Sequence, residues 1–307
     1  MFSIEFKEGC YILKGPCGSG KTTRAIERYK YLVENNKAKS EEILVLVLNR
    51  MQSLKWKNEL ILTRSGAKDI SSYFGFIQDE VVLYWPYILE KCDKIEKRDI
   101  RPTFMTFESS QSIMQQIVDK KREEGFLIGI TSTSDRIAIE LISNILKASI
   151  SYIPFEDIGN RLFSSLEVKD LIKKQVYDDA QIMIDLYVES LLKEGVLDYG
   201  LTVYLYNNYL LKDERYLEKL KKKYKHIIVD NLEESVPCQA DLISLLIENT
   251  KSSLLLYREE GGFRVRYGAN PKYIEKKIMG KFNEINLENV YTSRHEFIEF
   301  GDAVGKK

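Results

Sequence analysis

"CYILKGPCGSGKTTRAIERYKYLVE", residues 10–34, runs from an apolar strand through a glycine-rich turn into an amphipathic helix. The turn itself, Gly15-Pro16-Cys17-Gly18-Ser19-Gly20-Lys21-Thr22, fits G-x-x-x-x-G-K-[ST] in its confirming strand–loop–helix context. Glycines let the backbone wrap closely, so that amide N–H groups face phosphate oxygens. Lys21 supplies a point charge for the β- and γ-phosphates, the Thr22 hydroxyl suits a Mg²⁺ ligand, and the helix begins with its positive dipole end at the loop. Thr23 and Arg28 on that helix complete the candidate nucleotide-binding set, with ATP and Mg²⁺ as the expected cofactors. A phosphate loop does not by itself choose between kinases, GTPases and motors.

Outward from the loop, strand and helix alternate. "ILVLVL" (43–48) is a continuous apolar run of the kind found in parallel sheets covered on both faces. A helix-like stretch follows over 51–62, and "SYFGFIQDEVVLYWPYIL" (72–89) reads as an aromatic-rich helix. From about Lys91 to Tyr224 long amphipathic segments dominate, among them "QSIMQQIVDKKREEG", "DRIAIELISNILKASI" and "DDAQIMIDLYVESLLKEG". Sheet texture then returns with "HIIVD", a helix through "ADLISLLIEN", "SSLLLY" and finally "LENVYT". The expected fold class is α/β, one doubly wound parallel sheet domain interrupted by an all-helical insertion.

Composition narrows the class. The 307 residues carry 44% hydrophobic and 30% charged side chains, a soluble globular balance. With 46 basic and 46 acidic side chains the formal net charge is zero, which disfavours a uniformly basic nucleic-acid binder but leaves room for a local groove. Cys10, Cys17, Cys92 and Cys238 are far apart, and His226 and His295 suggest no zinc site. No run of eighteen apolar residues or signal-peptide pattern is present, so a cytoplasmic protein without a membrane partner is expected.

Six segments, in order, carry a resemblance to a known family. "ILVLVLNRMQSLKWKNEL" (43–60) resembles the segment with which UvrD/Rep superfamily-1 DNA helicases grip single-stranded DNA. "DISSYFGFIQDEV" (69–81) resembles their next segment, with Ser72, Tyr73 and Phe74 in place of Thr-Phe-His. "VLDYGLTVYLYNNYLL" (196–211) resembles the Leu-Asp-Phe-Asp-Asp-Leu-Leu helix. "HIIVDNLEESVPCQADLI" (226–243) resembles the Walker B motif, usually Val-Asp-Glu-Ala-Gln-Asp. "SLLLYREEGGFRVRYGANP" (253–271) resembles Gly-Asp-x-x-Gln-Ser-Ile-Tyr-x-Phe-Arg-Gly-Ala, and "NVYTSRHEFIE" (289–299) resembles the Asn-Tyr-Arg-Ser motif that opens the second motor domain. The resemblance implies a RecA-like motor domain over 1–88 and 225–285, a helical insertion over 89–224, and the start of a truncated second motor domain over 286–307. It also implies a DNA partner, single-stranded or partly duplex, and a role in repair or recombination.

Departures from the pattern fall on chemistry. Asp230 matches the Mg²⁺-binding carboxylate, but Asn231 stands where the family carries its catalytic glutamate, and an amide cannot accept a proton from water. General-base help is typically worth about 10²–10⁴-fold, so hydrolysis is expected to be impaired. Glu233 and Glu234 take the places of Gln and Asp, past the strand end. Tyr257 and Arg258 replace Gly-Asp, Gly261 replaces the γ-phosphate-sensing glutamine, and Arg294 matches the phosphate-contacting arginine. An intact loop with altered slots resembles the degenerate motor subunits of AddB/RecC type, although the iron–sulfur cysteines of AddB are missing. A non-catalytic DNA-binding or scaffold subunit, beside a nuclease or second helicase subunit, therefore stands as the alternative. Candidate DNA contacts are Trp56, Tyr73 and Phe74 in the gripping segments, each with core packing as the competing reading. The lysines of "KLKKKYKH" (219–226) are the other candidates, with a solvated helix face as theirs.

Overall fold

The computed structural model describes residues 8–62 and 66–291. The chain opens with β1 (Gly9–Lys14), α1 (Lys21–Glu34), β2 (Ile43–Val47), α2 (Arg50–Glu59), β3 (Ile70–Ser72) and α3 (Tyr73–Leu83). There follow α4 (Trp85–Lys91), β4 (Thr103–Phe104), α5 (Phe107–Glu123), α6 (Ser134–Ile150), α7 (Ile158–Ser164), α8 (Leu171–Lys193), β5 (Val196–Leu197) and α9 (Tyr199–Leu205). The last group is α10 (Glu214–Lys223), β6 (His226–Val229), α11 (Pro237–Ile247), β7 (Ser252–Tyr257), α12 (Pro271–Lys277) and β8 (Asn283–Asn286). Packing divides the described residues into a sheet unit, up to Tyr73 and again from Glu218, and a helical unit, Phe74–Leu217.

In the sheet unit six strands lie in the order β3-β2-β6-β7-β1-β8, every neighbouring pair parallel. All residues of β2, β6 and β7 are buried, the signature of a sheet covered on both faces. Tyr29, Ile26 and Leu32 of α1 and Trp56 of α2 pack with Val45, Ile228 and Leu254 of the strands. Parallel pairing sends every strand's carboxyl end to one edge of the sheet, where open α/β proteins bind ligands. The phosphate loop follows β1 at that edge and Asp230 follows β6. The α/β fold class is therefore observed, with one shift: the last strand is "NEIN" (283–286), paired with β1, and "LENVYT" begins beyond it. A search for apolar runs misses β8 because it is an edge strand, mostly exposed.

The helical unit begins at Phe74 rather than near residue 89. Its aromatic contacts tie α3 and α4 to its own far end: Phe76 meets Tyr206 at 6.3 Å and Tyr84 meets Tyr216 at 5.0 Å, edge to face. Trp85 Nε1 donates to the Asp99 carbonyl at 3.0 Å. Met114, Val118, Ile145, Met183, Ile184 and Tyr187 are buried in its centre. Buried Asp198 caps α9, accepting the Leu201 N–H at 2.7 Å and the Tyr187 hydroxyl at 2.9 Å. No helix among the described residues is long and apolar enough to cross a membrane.

Within the sheet unit, His226 opens β6 and is buried. Its Nδ1 sits 2.6 Å from Ser252 Oγ, while Nε2 has no hydrogen-bond partner among the described residues. Burial, reinforced by the cations of Arg28 and Lys251, holds its pKa down at about 4. The folded protein keeps the ring neutral where the unfolded chain, at about 6.5, takes up a proton. This contribution is fully present above pH 6.5 and is lost as pH falls toward 4, by on the order of 3 kcal/mol. Denaturant unfolding of the protein across pH 7 to 4 should show this loss, and His226→Asn should flatten the slope below pH 6.5.

Candidate functional site

The loop between β1 and α1 is shaped by two glycines in the left-handed region, Gly18 and Gly20, both at φ 80°. Gly15 needs to be glycine for a different reason: a Cβ there would meet the Leu287 carbonyl at 2.7 Å and Ser19 Oγ at 2.8 Å. Inside the loop, buried Ser19 donates its hydroxyl to the Pro16 carbonyl at 2.8 Å. Lys21 Nζ donates to the carbonyls of Gly15 at 2.6 Å and Pro16 at 2.7 Å, so the ammonium is drawn across the mouth of the loop. Desolvation lowers the Lys21 pKa, and the nearby charges of Glu233, Cys17 and Asp230 oppose that shift. Pro16, Cys17 and Thr23 are exposed around the rim.

Thr22 and Asp230, 208 positions apart in sequence, meet at the sheet edge: Thr22 Oγ1 donates to Asp230 Oδ2 at 3.1 Å. Asp230 also accepts Trp56 Nε1–H at 3.2 Å. Burial raises the Asp230 pKa, and the hydrogen bonds from Trp56 and Thr22 work against that rise. Two hard oxygen donors within hydrogen-bond distance of each other, beside a phosphate-type loop, form a donor set that fits Mg²⁺.

Past Asp230 the backbone turns through Asn231, a non-glycine residue at φ 60°. Its Oδ1 accepts Gln52 Nε2–H at 2.9 Å, and Gln52 Oε1 in turn accepts the Leu48 N–H at 2.9 Å. Its Nδ2 reaches toward Glu233 Oε1 at 3.4 Å. Although Glu233 follows the strand end, it turns back inward and is 2% exposed. Glu234 points the other way, and its carboxylate accepts the N–H groups of Gly262, Phe263 and Arg264 at 3.0–3.1 Å. Those three bonds cap a short 3₁₀ turn over Phe263–Tyr267.

Several residues with an expected role are placed differently by the fold. Arg28 lies two turns into α1, roughly 10 Å along the helix from Lys21, buried and acting on His226 at the start of β6. It faces the sheet's far end and not the phosphate loop. Trp56 and Tyr73 are 1% and 3% exposed, so neither offers a face to a base; the Trp56 indole instead steadies Asp230. Phe74, in the helical unit, packs edge-on against Tyr199 at 5.6 Å. In the lysine run, Lys222 pairs with Glu218 on its own helix at 3.5 Å, as on a solvated helix face, while Lys223 ties α10 to Asp69 just before β3 at 2.8 Å. Arg294 lies outside the described residues.

The aromatic surface missed by sequence reasoning is the 3₁₀ turn. Phe263 and Tyr267 are 72% and 68% exposed, with Arg258 over the Phe263 ring at 5.3 Å and Arg264 over the Tyr267 ring at 5.4 Å. The signal available was alternation of aromatic and arginine in "GFRVRYG" (262–268), hidden because the family's tyrosine and phenylalanine slots are arginines here.

The family model for the UvrD/REP helicase N-terminal domain matches residues 3–256. Among curated proteins, the chain is 20% identical over 305 residues to an ATP-dependent DNA helicase Rep of Buchnera aphidicola subsp. Acyrthosiphon pisum (strain APS), covering 98% of this chain and 44% of that protein. It is 22% identical over 298 residues to the ATP-dependent DNA helicase Rep of Buchnera aphidicola subsp. Schizaphis graminum (strain Sg), covering 94% of this chain and 41% of that one. The chain thus spans less than half the length of the curated relatives it matches.

Proposed function

The chain belongs to the UvrD/REP helicase family, and from that premise we propose that it is the nucleotide-binding motor portion of an ATP-dependent DNA helicase. The observation that carries this reading is the 3.1 Å meeting of Thr22 Oγ1 and Asp230 Oδ2 beneath the glycine loop. Thr22 and Asp230 hold Mg²⁺; Lys21 and the amides of Gly18, Ser19 and Gly20 hold the phosphates, and the start of α1 adds its dipole. Bound Mg²⁺ supplies charge neutralisation for the phosphates. The Asn231 amide is engaged by Gln52 and Glu233 and offers no proton acceptor where the family carries its glutamate, so turnover is slower than in a family member with glutamate there. Repair or recombination in the cytoplasm, with a nuclease or second helicase subunit as partner, is the setting we infer, because an intact loop is combined with altered catalytic slots.

DNA meets the exposed turn over Phe263–Tyr267. Stacking on its rings and the positive charge of Arg264 and Arg266 suit single strands, with their unpaired base faces and phosphates. Glu234 pre-forms that surface through its three backbone bonds.

Calorimetry should find Mg-ATP binding that weakens roughly tenfold or more in Lys21→Ala, the scale of a lost charge-assisted hydrogen bond. In Asp230→Asn the dependence of affinity on Mg²⁺ should fall. Unchanged affinity in Lys21→Ala would sink the site assignment. Phe263→Ala with Tyr267→Ala should cost about 1–3 kcal/mol per stacked base in single-strand affinity, measured by fluorescence anisotropy, without altering nucleotide binding.

A further inference from the structure

Positions 233 and 261 share one space. A Cβ at Gly261 would overlap Glu233 Cγ and approach Cδ at 3.0 Å, so the Glu233 side chain enters the site only because residue 261 has none. The carboxylate is held from two sides: Oε2 accepts the Arg258 N–H at 3.1 Å, and Oε1 lies 3.4 Å from Asn231 Nδ2. Among the charges around the Lys21 ammonium, Glu233 acts most strongly, ahead of Asp230. Asn231 directly follows Asp230, so its contact with the Glu233 carboxylate sets that carboxylate at the same sheet edge as the Thr22–Asp230 pair. Burial raises its pKa, which moves a carboxylate toward the range useful for proton transfer near neutrality.

Three departures from the family pattern thereby form one arrangement. The pattern places an acid at 231, an amide at 233 and a glutamine at 261; this chain has Asn231, Glu233 and Gly261. Acid and amide have changed places across two residues, and the third position has given up its side chain to make room.

We propose that Glu233 is the general base for ATP hydrolysis in this chain, with the Asn231 amide steadying its carboxylate; this rests on the ATP-site reading above. The water oxygen bonds to the γ-phosphorus as its O–H proton passes to the Glu233 carboxylate. The bond from that phosphorus to the β-γ bridging oxygen breaks, and ADP and inorganic phosphate leave. The rival role is a strut that staples the turn after β7 to the end of β6 through Arg258. Glutamine preserves that role, because its amide oxygen still accepts the Arg258 N–H.

The test is single-turnover phosphate release from Mg-ATP with a single-stranded oligonucleotide present, alongside calorimetric affinities for Mg-ATP and Mg-ADP. Glu233→Gln should lower the rate by about 10²-fold or more. It should tighten Mg-ATP, since a buried negative charge near the phosphates is gone, and leave Mg-ADP nearly unchanged. Gly261→Ala, which crowds the carboxylate out, should reproduce the rate loss while thermal melting shows a folded protein. Wild-type turnover in Glu233→Gln, equal weakening of ATP and ADP, or ATP binding without any phosphate release by the unaltered protein each overturns the proposal. Failure of the unaltered protein to bind Mg-ATP at all overturns the nucleotide-site reading itself, and is distinguished by the calorimetry.

Discussion

Burying the Asp230 carboxylate strips it of most of its water, and an unpaired buried charge costs several kcal/mol. The Thr22 hydroxyl and the Trp56 indole offset part of that cost. These two donors come from helices that follow different strands, α1 after β1 and α2 after β2. Asp230 itself follows β6. For all three to converge, the strands must be parallel and in register, with their carboxyl ends along one edge. The sheet's order and the chemistry at its edge are in this sense a single constraint: a slip in one strand would leave a buried charge without donors.

The same economy extends outward from Asp230. Asn231 in the left-handed region turns the chain, and Gln52 secures it by bonding both its amide and the backbone of Leu48, just after β2. Such a conformation for a non-glycine residue is costly by about 1 kcal/mol or more and persists where its surroundings hold it. Beyond the turn, two adjacent glutamates divide the work. Glu233 folds inward to accept the Arg258 N–H, and Glu234 organises the backbone that displays Phe263 and Tyr267. The buried carboxylate and the one that orders the surface thus sit one residue apart, which links the end of β6 to the exposed turn through a single short segment.

How much of this is legible in the sequence depends on whether a feature is local. The strand–loop–helix of residues 10–34 announces itself because apolar runs, glycines at fixed spacing and the Lys-Thr pair are all neighbours along the chain. The bounds of α1 follow from it, as does the α/β class from the buried runs of β2, β6 and β7. Edge strand β8 escapes such a reading because an exposed strand lacks the apolar signal on which it depends. The helical unit begins earlier than the change of sequence texture suggests. Edge-to-face aromatic contacts between residues over a hundred positions apart, Phe76 with Tyr206 and Tyr84 with Tyr216, draw α3 and α4 into it.

Site residues divide along the same line. Lys21, Thr22 and Asp230 could be named from motifs, since each motif carries its own geometry. Whether Trp56 stacks on a base or supports a carboxylate, and whether Arg28 meets phosphate or a buried histidine, depends on which face of a helix the sheet covers. Sequence by itself determined the glycine-rich loop between β1 and α1, the parallel α/β class and the altered residues at 231, 233 and 261. Only the tertiary structure decided that Glu233 and Gly261 occupy one volume, because their exclusion of each other is a contact between segments brought together by the β6–β7 pairing.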